Sequence, residues 1–356
     1  MMIIPTMQYG GMERVASILS EEWAKKYDVF VCVFNAKNQA YPVGGQLIDL
    51  AIPEHTSIWT KIYRLFHRIL SLSSLFRKIK PEFIVSFCVT ANLPTIWACV
   101  LSGYTDKLSI SVHANLQLIP KLHQLLMTIV YRIPNRLLAV SATLRLQLAT
   151  QLRLPLNVCH FVPNPIDLDL IAKQKMVSIP EKYADIGRII IAVGRLHAVK
   201  GYDRLIEAFA IVSKTYPGKL VILGEGDERQ RLESIITGLG LNLRVLMPGA
   251  VNNPFAWMTR ADALVLSSHS ESWGMVILES FACECPVVSF DCETGPREII
   301  ENRINGLLVK NGDILGLANA ITEVTNNSEL RGQLIRNGLK CAKKYSVSEI
   351  APLWLG

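Results

Sequence analysis

Acidic side chains are scarce in one part of this 356-residue sequence. Between residues 55 and 165 there are 12 lysines and arginines but only two acidic residues, Glu82 and Asp106. The whole chain has a formal net charge of +7, so the basic excess is concentrated in this region. Such a region is typical of a surface that meets anionic lipid or another polyanion, although a solvated face without a partner has the same composition.

Paired cysteines and a secretory signal are also missing. The eight cysteines include no C-x-x-C pair, and Cys283 and Cys285 are too close together for the usual zinc-binding spacing. Because no signal peptide is recognisable, the simplest interpretation is free thiols in a reducing cytoplasm.

The sequence has no long apolar run free of interruptions. The longest uncharged run covers residues 83–105, but polar residues and Pro94 interrupt it. It divides more naturally into a buried strand at 83–89 and an apolar helix that begins near Asn92 and Pro94. A transmembrane helix is accordingly the less favoured interpretation.

Runs rich in Val and Ile alternate with helical patterns, which predicts parallel sheets covered by helices. We predict an α/β fold of two Rossmann-like doubly wound domains, residues 1–165 and 166–340, hinged near 163–187 and facing a central cleft. Ligands of such sheets bind beyond the carboxyl ends of the strands. The predicted strands lie at 1–7, 29–34, 83–89, 108–113, 136–141 and 159–165, and then at 188–195, 219–226, 243–249, 263–268 and 285–290.

A glycine pair follows the first predicted strand, in "QYGGMERVA" at residues 8–16. Gly10 and Gly11 would let the backbone approach an anion closely, and the following helix N-terminus would supply free N–H groups. The stretch does not match the G-x-G-x-x-G dinucleotide fingerprint. A plain tight turn is the alternative.

Two cations flank a loop after the first strand of the second series. In "AVGRLHAVKGYDRLIEAFA", residues 192–210, Arg195 and Lys200 lie between that strand and a helix that we expect to open with Asp203 as N-cap. Two cations at such a junction suit a diphosphate group. The alternative is a pair of surface cations.

Two glutamates stand eight positions apart in the apolar stretch "HSESWGMVILESFACECPVVSF", residues 269–290. Glu271 precedes a predicted helix, and helix capping alone would explain it. Glu279 lies inside that helix among apolar residues, where a carboxylate needs hydroxyl or cationic partners. Two ribose hydroxyls would suit it, and the N–H groups of Gly274, Met275 and Val276 would be available to a phosphate or a sugar.

A further acidic pair has the D-x-D spelling that often marks a metal-bound nucleotide sugar. Asp167 and Asp169 follow "VPNP" in the predicted linker. Aspartate after Asn-Pro is ordinary turn chemistry, and this is the favoured interpretation.

Taken together, these motifs resemble the family 4 retaining glycosyltransferases, which have the GT-B fold. Glu271, seven further residues and Glu279 match the E-x7-E pattern of that family. The ordered set covers nearly the whole chain. Its pieces are "YGGMERV", "VHAN", "AVSATLR", "VPNPID", "VGRLHAVKG", "VILGEGDERQRLE", "ADALVLSSHSESWGMVILES", "PVVSFDCETGPREII" and "NGLLV".

The resemblance implies roles for the matching residues. Arg195 and Lys200 would bind the donor diphosphate and stabilise charge on the leaving nucleotide. Glu279 would hold the donor ribose. The transferred sugar and its phosphate would contact Glu271, Gly274, Met275 and Val276, and the base would lie near Met247 and Pro248. In the first domain, Gly10 and Gly11 would contact the diphosphate and His113 the sugar. The sugar pocket would be lined by Thr294, Gly295 and Arg297.

The resemblance also implies the reaction. A sugar would pass from a nucleotide to an acceptor hydroxyl with its α configuration kept, and the leaving phosphate would take the acceptor's proton. Neither a metal ion nor another cofactor is expected, since Arg195 and Lys200 would supply the positive charge. Residues 341–356 would begin a helix that returns toward the first domain.

The acceptor is suggested by two basic apolar stretches. Residues 57–80 interleave aromatic residues such as Tyr63 and Phe66 with lysines and arginines, and residues 118–138 are similar in character. Such helices lie in membrane interfaces, although their inner faces must pack on the domain itself. We therefore expect a cytoplasmic enzyme, peripheral on the inner face of the bacterial cytoplasmic membrane, that docks on anionic lipid.

The expected acceptor is a polyprenyl-diphosphate-linked saccharide or a lipopolysaccharide. "DCETGPREII", residues 291–300, is most similar to the hexosamine and galactose transferases of O-antigen and capsule assembly. A UDP-linked sugar is the preferred donor, with a GDP-linked sugar second. The alternatives are a GT-B nucleotide-sugar epimerase and a nucleic-acid-binding protein. A nucleic-acid partner is not expected, because no groove-reading motif is present.

Overall fold

Each series of apolar runs forms one parallel β-sheet in the computed structural model, which describes residues 1–52, 58–113, 116 and 119–356. The chain divides into two units, Met1–Pro165 with Val347–Gly356, and Ile166–Ser346. Ala114 and Asn115 of the "VHAN" motif lie outside the described residues, as do Ser57 and Leu118, which open the two predicted basic stretches.

The first unit contains seven parallel strands in the described residues, in the order β3-β2-β1-β4-β5-β6-β7. The first six follow the strand order of the Rossmann fold, in which the chain reverses direction across the sheet between its first and fourth strands. The bounds are β1 Met2–Ile4, β2 Phe30–Val33, β3 Gln46–Asp49, β4 Ile84–Phe87, β5 Leu108–Val112, β6 Arg136–Ala139 and β7 Cys159–Phe161.

Helices connect most of these strands, but β2 and β3 are joined by residues 34–45, which contain no helix. Amphipathic α2 keeps one stripe, including Ile69, Leu72 and Phe76, in the core. Of the described residues, none belongs to a helix that is both long and apolar enough to cross a membrane. The helix bounds are α1 Gly11–Trp23, α2 Ile58–Ile79, α3 Val89–Ser102, α4 Lys121–Val130 and α5 Ala142–Gln151.

The last helix of the chain, which spans Val347–Leu355, belongs to the first unit. Trp354 is fully buried, and its indole N–H donates to the Pro163 carbonyl at 3.1 Å. The indole of Trp23 donates to the Ala351 carbonyl at 3.3 Å. Buried indoles with satisfied N–H groups are strong anchors, so this helix is an integral part of the first unit.

The second unit contains six parallel strands in its sheet, in the order β10-β9-β8-β11-β12-β13. This is again the Rossmann order, and the reversal lies between β8 and β11. The central strand β8 is almost entirely apolar, and its residues 189–192 are fully buried, as expected for a strand covered on both faces. The bounds are β8 Ile189–Val193, β9 Lys219–Leu223, β10 Val245–Gly249, β11 Ala261–Leu266, β12 Val287–Asp291 and β13 Leu307–Lys310.

The helices of the second unit begin in the stretch that the sequence predicted as a polar linker. The carboxylate of Asp167 accepts the Leu170 N–H at 2.8 Å and caps α6. The helix bounds are α6 Leu168–Gln174, α7 Tyr202–Val212, α8 Arg229–Gly238, α9 Phe255–Met258, α10 Met275–Ala282, α11 Pro296–Ile299, α12 Ile314–Asn326 and α13 Ser328–Lys343. The helix in the first unit at Val347–Leu355 is then α14.

The structure confirms the α/β fold class, adds strands β3 and β13 that the sequence did not predict, and corrects the start of a helix in the first unit. The prediction that the helix after β4 begins near Asn92 and Pro94 is wrong, because α3 begins at Val89 and carries Pro94 inside it. Gly103 at the C-terminal cap has a φ of 77°, which ends the helix as a left-handed residue commonly does. The helix therefore lacks one backbone hydrogen bond at Pro94, which lies among the buried residues of α3.

Candidate functional site

The candidate site of the second unit lies at the carboxyl ends of β8 and β11. These strands are hydrogen-bonded neighbours, with Ile191 paired to Leu264. Because both run in the same direction, the loops that follow them emerge side by side at the point where the strand order reverses. Open α/β sheets bind ligands at this place. The loop after β8 carries Arg195 and Lys200, and the loop after β11 carries Glu271.

The loop after β8 is held against the loop after β11. The Ser267 hydroxyl donates to the Lys200 carbonyl at 2.9 Å, and the His269 N–H donates to the Val199 carbonyl at 2.8 Å. Gly201, with a φ of 59°, turns the chain into α7, and a Cβ there would lie 2.3 Å from the Ser267 carbonyl oxygen. The position therefore requires glycine, and the backbone near Lys200 is fixed.

The expectation that Asp203 caps α7 is wrong. The cap position is Gly201, because the left-handed turn at this residue already starts the helix at Tyr202. Asp203 lies in the first turn instead, where a carboxylate interacts favourably with the helix dipole. It accepts a hydrogen bond from Arg231 at 2.9 Å.

Lys200 and Glu271 form an ion pair. The Nζ atom of Lys200 lies 2.6 Å from Oε1 of Glu271, and the Ser268 hydroxyl donates to the same oxygen at 2.6 Å. The Glu271 side chain is 11% exposed. Glu271 therefore does not cap the helix that follows it, and α10 begins at the backbone of Gly274 without a side-chain cap. The carboxylate is held across two loops, at the edge where a ligand would bind.

The N-terminus of α10 supplies backbone donors next to this pair. Gly274 has a φ of 90°, which favours glycine, and it precedes the first helical residues Met275 and Val276. The first N–H groups of a helix have no partner within the helix, so they are available to an anion or a sugar oxygen. All three residues are partly exposed.

Glu279 lies one turn further along α10 and is only 5% exposed. Positions three and four residues apart share a helix face, so Glu279 lies on the same face as Met275 and Val276. The burial agrees with the reasoning that this carboxylate needs specific partners. Its charge contributes, after burial itself, to a Cys283 pKa raised to about 12.

The other predicted donor residues of the second unit lie around the same sheet edge. The Arg195 side chain is exposed. Met247 and Pro248 belong to β10 and are partly exposed, and the Met247 carbonyl accepts a hydrogen bond from Arg229 at 3.3 Å. The Thr294 hydroxyl donates to the Glu271 carbonyl, which ties the loop after β12 to the loop that carries the ion pair.

In the first unit, the glycine pair opens α1 directly after the β1 loop. Gly10 is the N-cap and has an extended φ of −177°, and Gly11 is the first helical residue. Neither backbone is in the left-handed region, and a Cβ on Gly11 would meet nothing within 4 Å. Backbone strain therefore does not explain these glycines, and their predicted contact with a diphosphate stays a prediction.

His113 follows β5 at the carboxyl edge of the first sheet and packs in an aromatic cluster. Its ring centroid lies 5.9 Å from that of Phe87 and 6.1 Å from that of Trp354. Burial lowers the His113 pKa to about 4, so the imidazole is neutral at physiological pH.

The hydrogen bonds of Ser111 determine which ring nitrogen of His113 carries the proton. The Ser111 hydroxyl donates to the Ser86 carbonyl at 3.1 Å and lies 3.0 Å from Nε2 of His113. A hydroxyl has one proton, and the carbonyl can only accept. Nε2 of His113 is therefore the donor to Ser111, and Nδ1 is left as a hydrogen-bond acceptor.

Comparison with known proteins places the chain in a family. A family model described as Glycosyltransferase Family 4 matches residues 9–170, and one described as Glycosyl transferases group 1 matches residues 180–340. The chain belongs to the family 4 glycosyltransferases. The resemblance inferred from the motifs is thereby confirmed.

Relatives of this glycosyltransferase match either the whole chain or part of it. The GalNAc-alpha-(1->4)-GalNAc-alpha-(1->3)-diNAcBac-PP-undecaprenol alpha-1,4-N-acetyl-D-galactosaminyltransferase of Campylobacter jejuni is 27% identical over 99% of this chain and 96% of its own. The lipopolysaccharide core biosynthesis glycosyltransferase LpsE of Rhizobium meliloti is 37% identical over 42% of this chain and 43% of its own.

Solved structures confirm the GT-B fold of this glycosyltransferase. Anabaena Alr3699/HepE, crystallised with UDP and glucose, has a TM-score of 0.81 at 18% identity and covers 99% of this chain and 98% of its own. Sucrose-phosphate synthase of Thermosynechococcus elongatus has a TM-score of 0.81 at 17% identity and covers 99% of this chain and 97% of its own.

Two side chains that contact predicted site residues, one in each unit, were missed by sequence reasoning. Ser268 holds Glu271, and Ser111 orients His113. Both are buried serines at or just after a strand end. The only signal in the sequence was a hydroxyl residue next to a predicted site residue, and serine is too common at strand ends for this to be decisive.

Within the part of the chain that the structure describes, no group of three or more His, Cys, Asp or Glu side chains is arranged to hold a metal ion. Asp167 acts as a helix cap, which agrees with the turn interpretation of the D-x-D pair.

Proposed function

We propose that this glycosyltransferase transfers a hexose or N-acetylhexosamine from a UDP-linked donor to a polyprenyl-diphosphate-linked or lipopolysaccharide saccharide, with retention of the α configuration. The observation that carries the proposal is the Lys200–Glu271 pair at the carboxyl ends of β8 and β11. A cation that can meet phosphate and a carboxylate that can meet sugar hydroxyls lie side by side at the ligand-binding edge of a Rossmann sheet.

The donor is held by charge and by oriented backbone groups. Arg195 and Lys200 bind the diphosphate and stabilise the charge that develops on the leaving nucleotide. Because they supply positive charge, we propose that no metal ion is required. The α10 N-terminus and Glu271 contact the transferred sugar. Buried Glu279 accepts hydrogen bonds from the ribose hydroxyls, which suit a carboxylate acceptor.

A uridine nucleotide is preferred over a guanosine nucleotide on the basis of relatives. The structurally similar HepE was crystallised with UDP and glucose, and the C. jejuni relative is an N-acetylgalactosaminyltransferase. The same relative supports a lipid-linked acceptor, since its name specifies an undecaprenol-diphosphate saccharide. LpsE supports lipopolysaccharide as the alternative acceptor.

The exposed surface of the first unit supports membrane docking. Tyr63, Phe66 and Leu70 on α2 are each at least 60% exposed. They are spaced at three and four residues, so they form one stripe, separate from the stripe of α2 that the core covers. On α4, Leu125 and Ile129 are 60% and 63% exposed and are also spaced by four residues.

These apolar stripes lie in the segment that has 12 basic and two acidic residues. Lysines and arginines near an anionic surface each contribute about 1 kcal/mol to membrane attraction. We propose that α2 and α4 place the enzyme on anionic lipid at the cytoplasmic face of the membrane, where a polyprenyl-linked acceptor is found.

A product assay tests the reaction. The enzyme is incubated with UDP-GalNAc, UDP-GlcNAc or UDP-galactose and a synthetic polyprenyl-diphosphate-linked disaccharide, and the anomeric configuration of the product is read by proton NMR. The expected product carries one added sugar in α linkage. A β product would contradict retention. An isomerised nucleotide sugar formed without acceptor would favour the epimerase alternative.

Vesicle flotation tests the membrane proposal. The enzyme should float with vesicles that contain anionic lipid at low salt, and less so at high salt, because exposed charges are screened. Replacing Tyr63, Phe66 and Leu70 by serine should reduce flotation. The matched control replaces the exposed leucines Leu239, Leu243 and Leu315 of the second unit. Equal loss in both variants, or no flotation of the parent enzyme, would contradict the proposed surface.

A further inference from the structure

Tyr202 carries a buried hydroxyl without a partner. Its side chain opens α7, packs into the hydrophobic core of the second unit and is 5% exposed. Among the described residues, its hydroxyl oxygen has no hydrogen-bond partner. Buried polar groups are nearly always hydrogen-bonded, so the unsatisfied Tyr202 hydroxyl needs an explanation.

The hydroxyl lies at the candidate donor site. A Cβ placed on Gly194, the residue that follows β8, would lie 2.9 Å from the Tyr202 oxygen and 3.5 Å from Cε of Lys200. The phenol therefore ends beside the Gly194 backbone and the stem of Lys200. Burial, and after it the charge of Glu271, raise the Tyr202 pKa, so the hydroxyl stays protonated and can act only as a neutral donor or acceptor.

Packing alone does not explain the hydroxyl. Phenylalanine would fill the same core position without leaving a buried polar group unsatisfied, and such a group destabilises the folded state. Tyr216 of the same core shows the contrast, because its hydroxyl donates to Oδ2 of Asp262 at 2.8 Å. A buried polar group without a hydrogen-bond partner is expected mainly at functional sites.

We propose that the Tyr202 hydroxyl donates a hydrogen bond to a phosphate oxygen of the bound nucleotide diphosphate, as a third donor beside Arg195 and Lys200. This inference rests on the proposed function. A phosphate is the suitable acceptor, because the Tyr202 hydroxyl lies near the stem of Lys200, which we propose binds the diphosphate. The nearby carboxylate oxygen Oε1 of Glu271 already accepts from Lys200 and Ser268.

The Tyr202→Phe variant tests the proposal, with Tyr216→Phe as the matched control. UDP and uridine are titrated calorimetrically into both full-length variants and the parent enzyme, and melting temperatures are measured without ligand. Tyr202→Phe should raise the melting temperature by about 2 °C, because it removes the unsatisfied hydroxyl. It should weaken UDP binding about tenfold and leave uridine binding unchanged. Tyr216→Phe should melt lower and bind UDP as the parent does.

The outcomes separate this inference from the proposed function. If the parent enzyme binds UDP and Tyr202→Phe binds it equally well, the inference is overturned and the proposed function stands. A loss that is equal for UDP and uridine overturns the phosphate contact. A lower melting temperature of Tyr202→Phe shows that the hydroxyl has a structural partner and also overturns it. If the parent enzyme does not bind UDP, both proposals fail.

Discussion

The Nζ atom of Lys200 lies 2.6 Å from Oε1 of Glu271, although the two residues are 71 positions apart in the chain. Ser268 donates to the same carboxylate oxygen. The structure therefore pairs the two most chemically distinctive residues of the candidate site with each other. A donor phosphate that takes Lys200 as its partner must compete with Glu271, which then becomes available to the transferred sugar.

Replacing Lys200 by alanine should lower kcat/KM for the nucleotide sugar by about 10²- to 10³-fold, because a charge that stabilises the leaving diphosphate is lost. Initial rates at varied donor concentration measure the effect. The matched control is Lys175→Ala, which breaks a 2.8 Å ion pair with Glu284 in the same unit. If Lys200→Ala keeps activity within threefold of the parent, Lys200 does not bind the diphosphate.

In the Ser111→Ala variant, the His113 ring should no longer favour the tautomer protonated at Nε2, because Nε2 loses the oxygen to which it donates. Nitrogen-15 NMR of labelled histidine should show the parent His113 protonated at Nε2, and a mixture of tautomers in Ser111→Ala. We expect kcat/KM to fall about tenfold, in line with the loss of one well-placed hydrogen bond. Ser109→Ala, a buried serine two residues earlier on β5, is the control. A parent His113 protonated at Nδ1 would contradict the assignment.

The lowered His113 pKa predicts how stability depends on pH. In the folded protein the pKa is about 4, against an unfolded value of about 6.5. Between these values the unfolded chain binds more protons, so the stability that His113 contributes is complete above pH 6.5 and is lost as the pH falls toward 4. The contribution is roughly 3 kcal/mol at most. Comparing melting temperatures of the parent and His113→Gln from pH 4.5 to 7.5 isolates it, and parallel curves would show that His113 does not titrate in this way.

Replacing Trp354 by alanine should destabilise the first unit by about 3–5 kcal/mol, as expected for a large buried aromatic side chain. The ring stacks on Phe87 with a centroid distance of 5.4 Å, and the indole N–H donates a hydrogen bond to the Pro163 carbonyl. Urea unfolding measures the change. Trp354→Phe should recover part of the stability, and Leu353→Ala, at a 49% exposed neighbour, should change it little. A loss below 1 kcal/mol for Trp354→Ala would mean that α14 contributes little to the unit.

The sequence allowed the fold class to be predicted, because Val- and Ile-rich strands separated by amphipathic helices leave few alternatives to parallel sheets. Helix starts were less predictable. Pro94 looked like a first-turn residue but lies inside α3, and Gly201 rather than Asp203 begins α7. α3 extends through Pro94 because tertiary packing overrides local propensity, whereas the left-handed turn at Gly201 starts α7.

The candidate site could be predicted only as a set of residues. The E-x7-E spacing drew attention to Glu271 and Glu279, and the burial of Glu279 agrees with the physical reason given for it. Spacing along the chain does not reveal contacts between loops. The Lys200–Glu271 pair depends on the pairing of β8 with β11, and Trp354 reaches His113 only because α14 returns to the first unit.

Calorimetric titration of UDP- and GDP-sugars into the parent enzyme and into Glu279→Ala tests the central claim most directly. We expect one UDP-sugar to bind the parent, and Glu279→Ala to bind it at least tenfold more weakly, because the ribose hydroxyls lose a charged acceptor. If no nucleotide sugar binds the parent enzyme, or if Glu279→Ala binds with unchanged affinity, the donor site does not lie at the carboxyl edge of the second sheet.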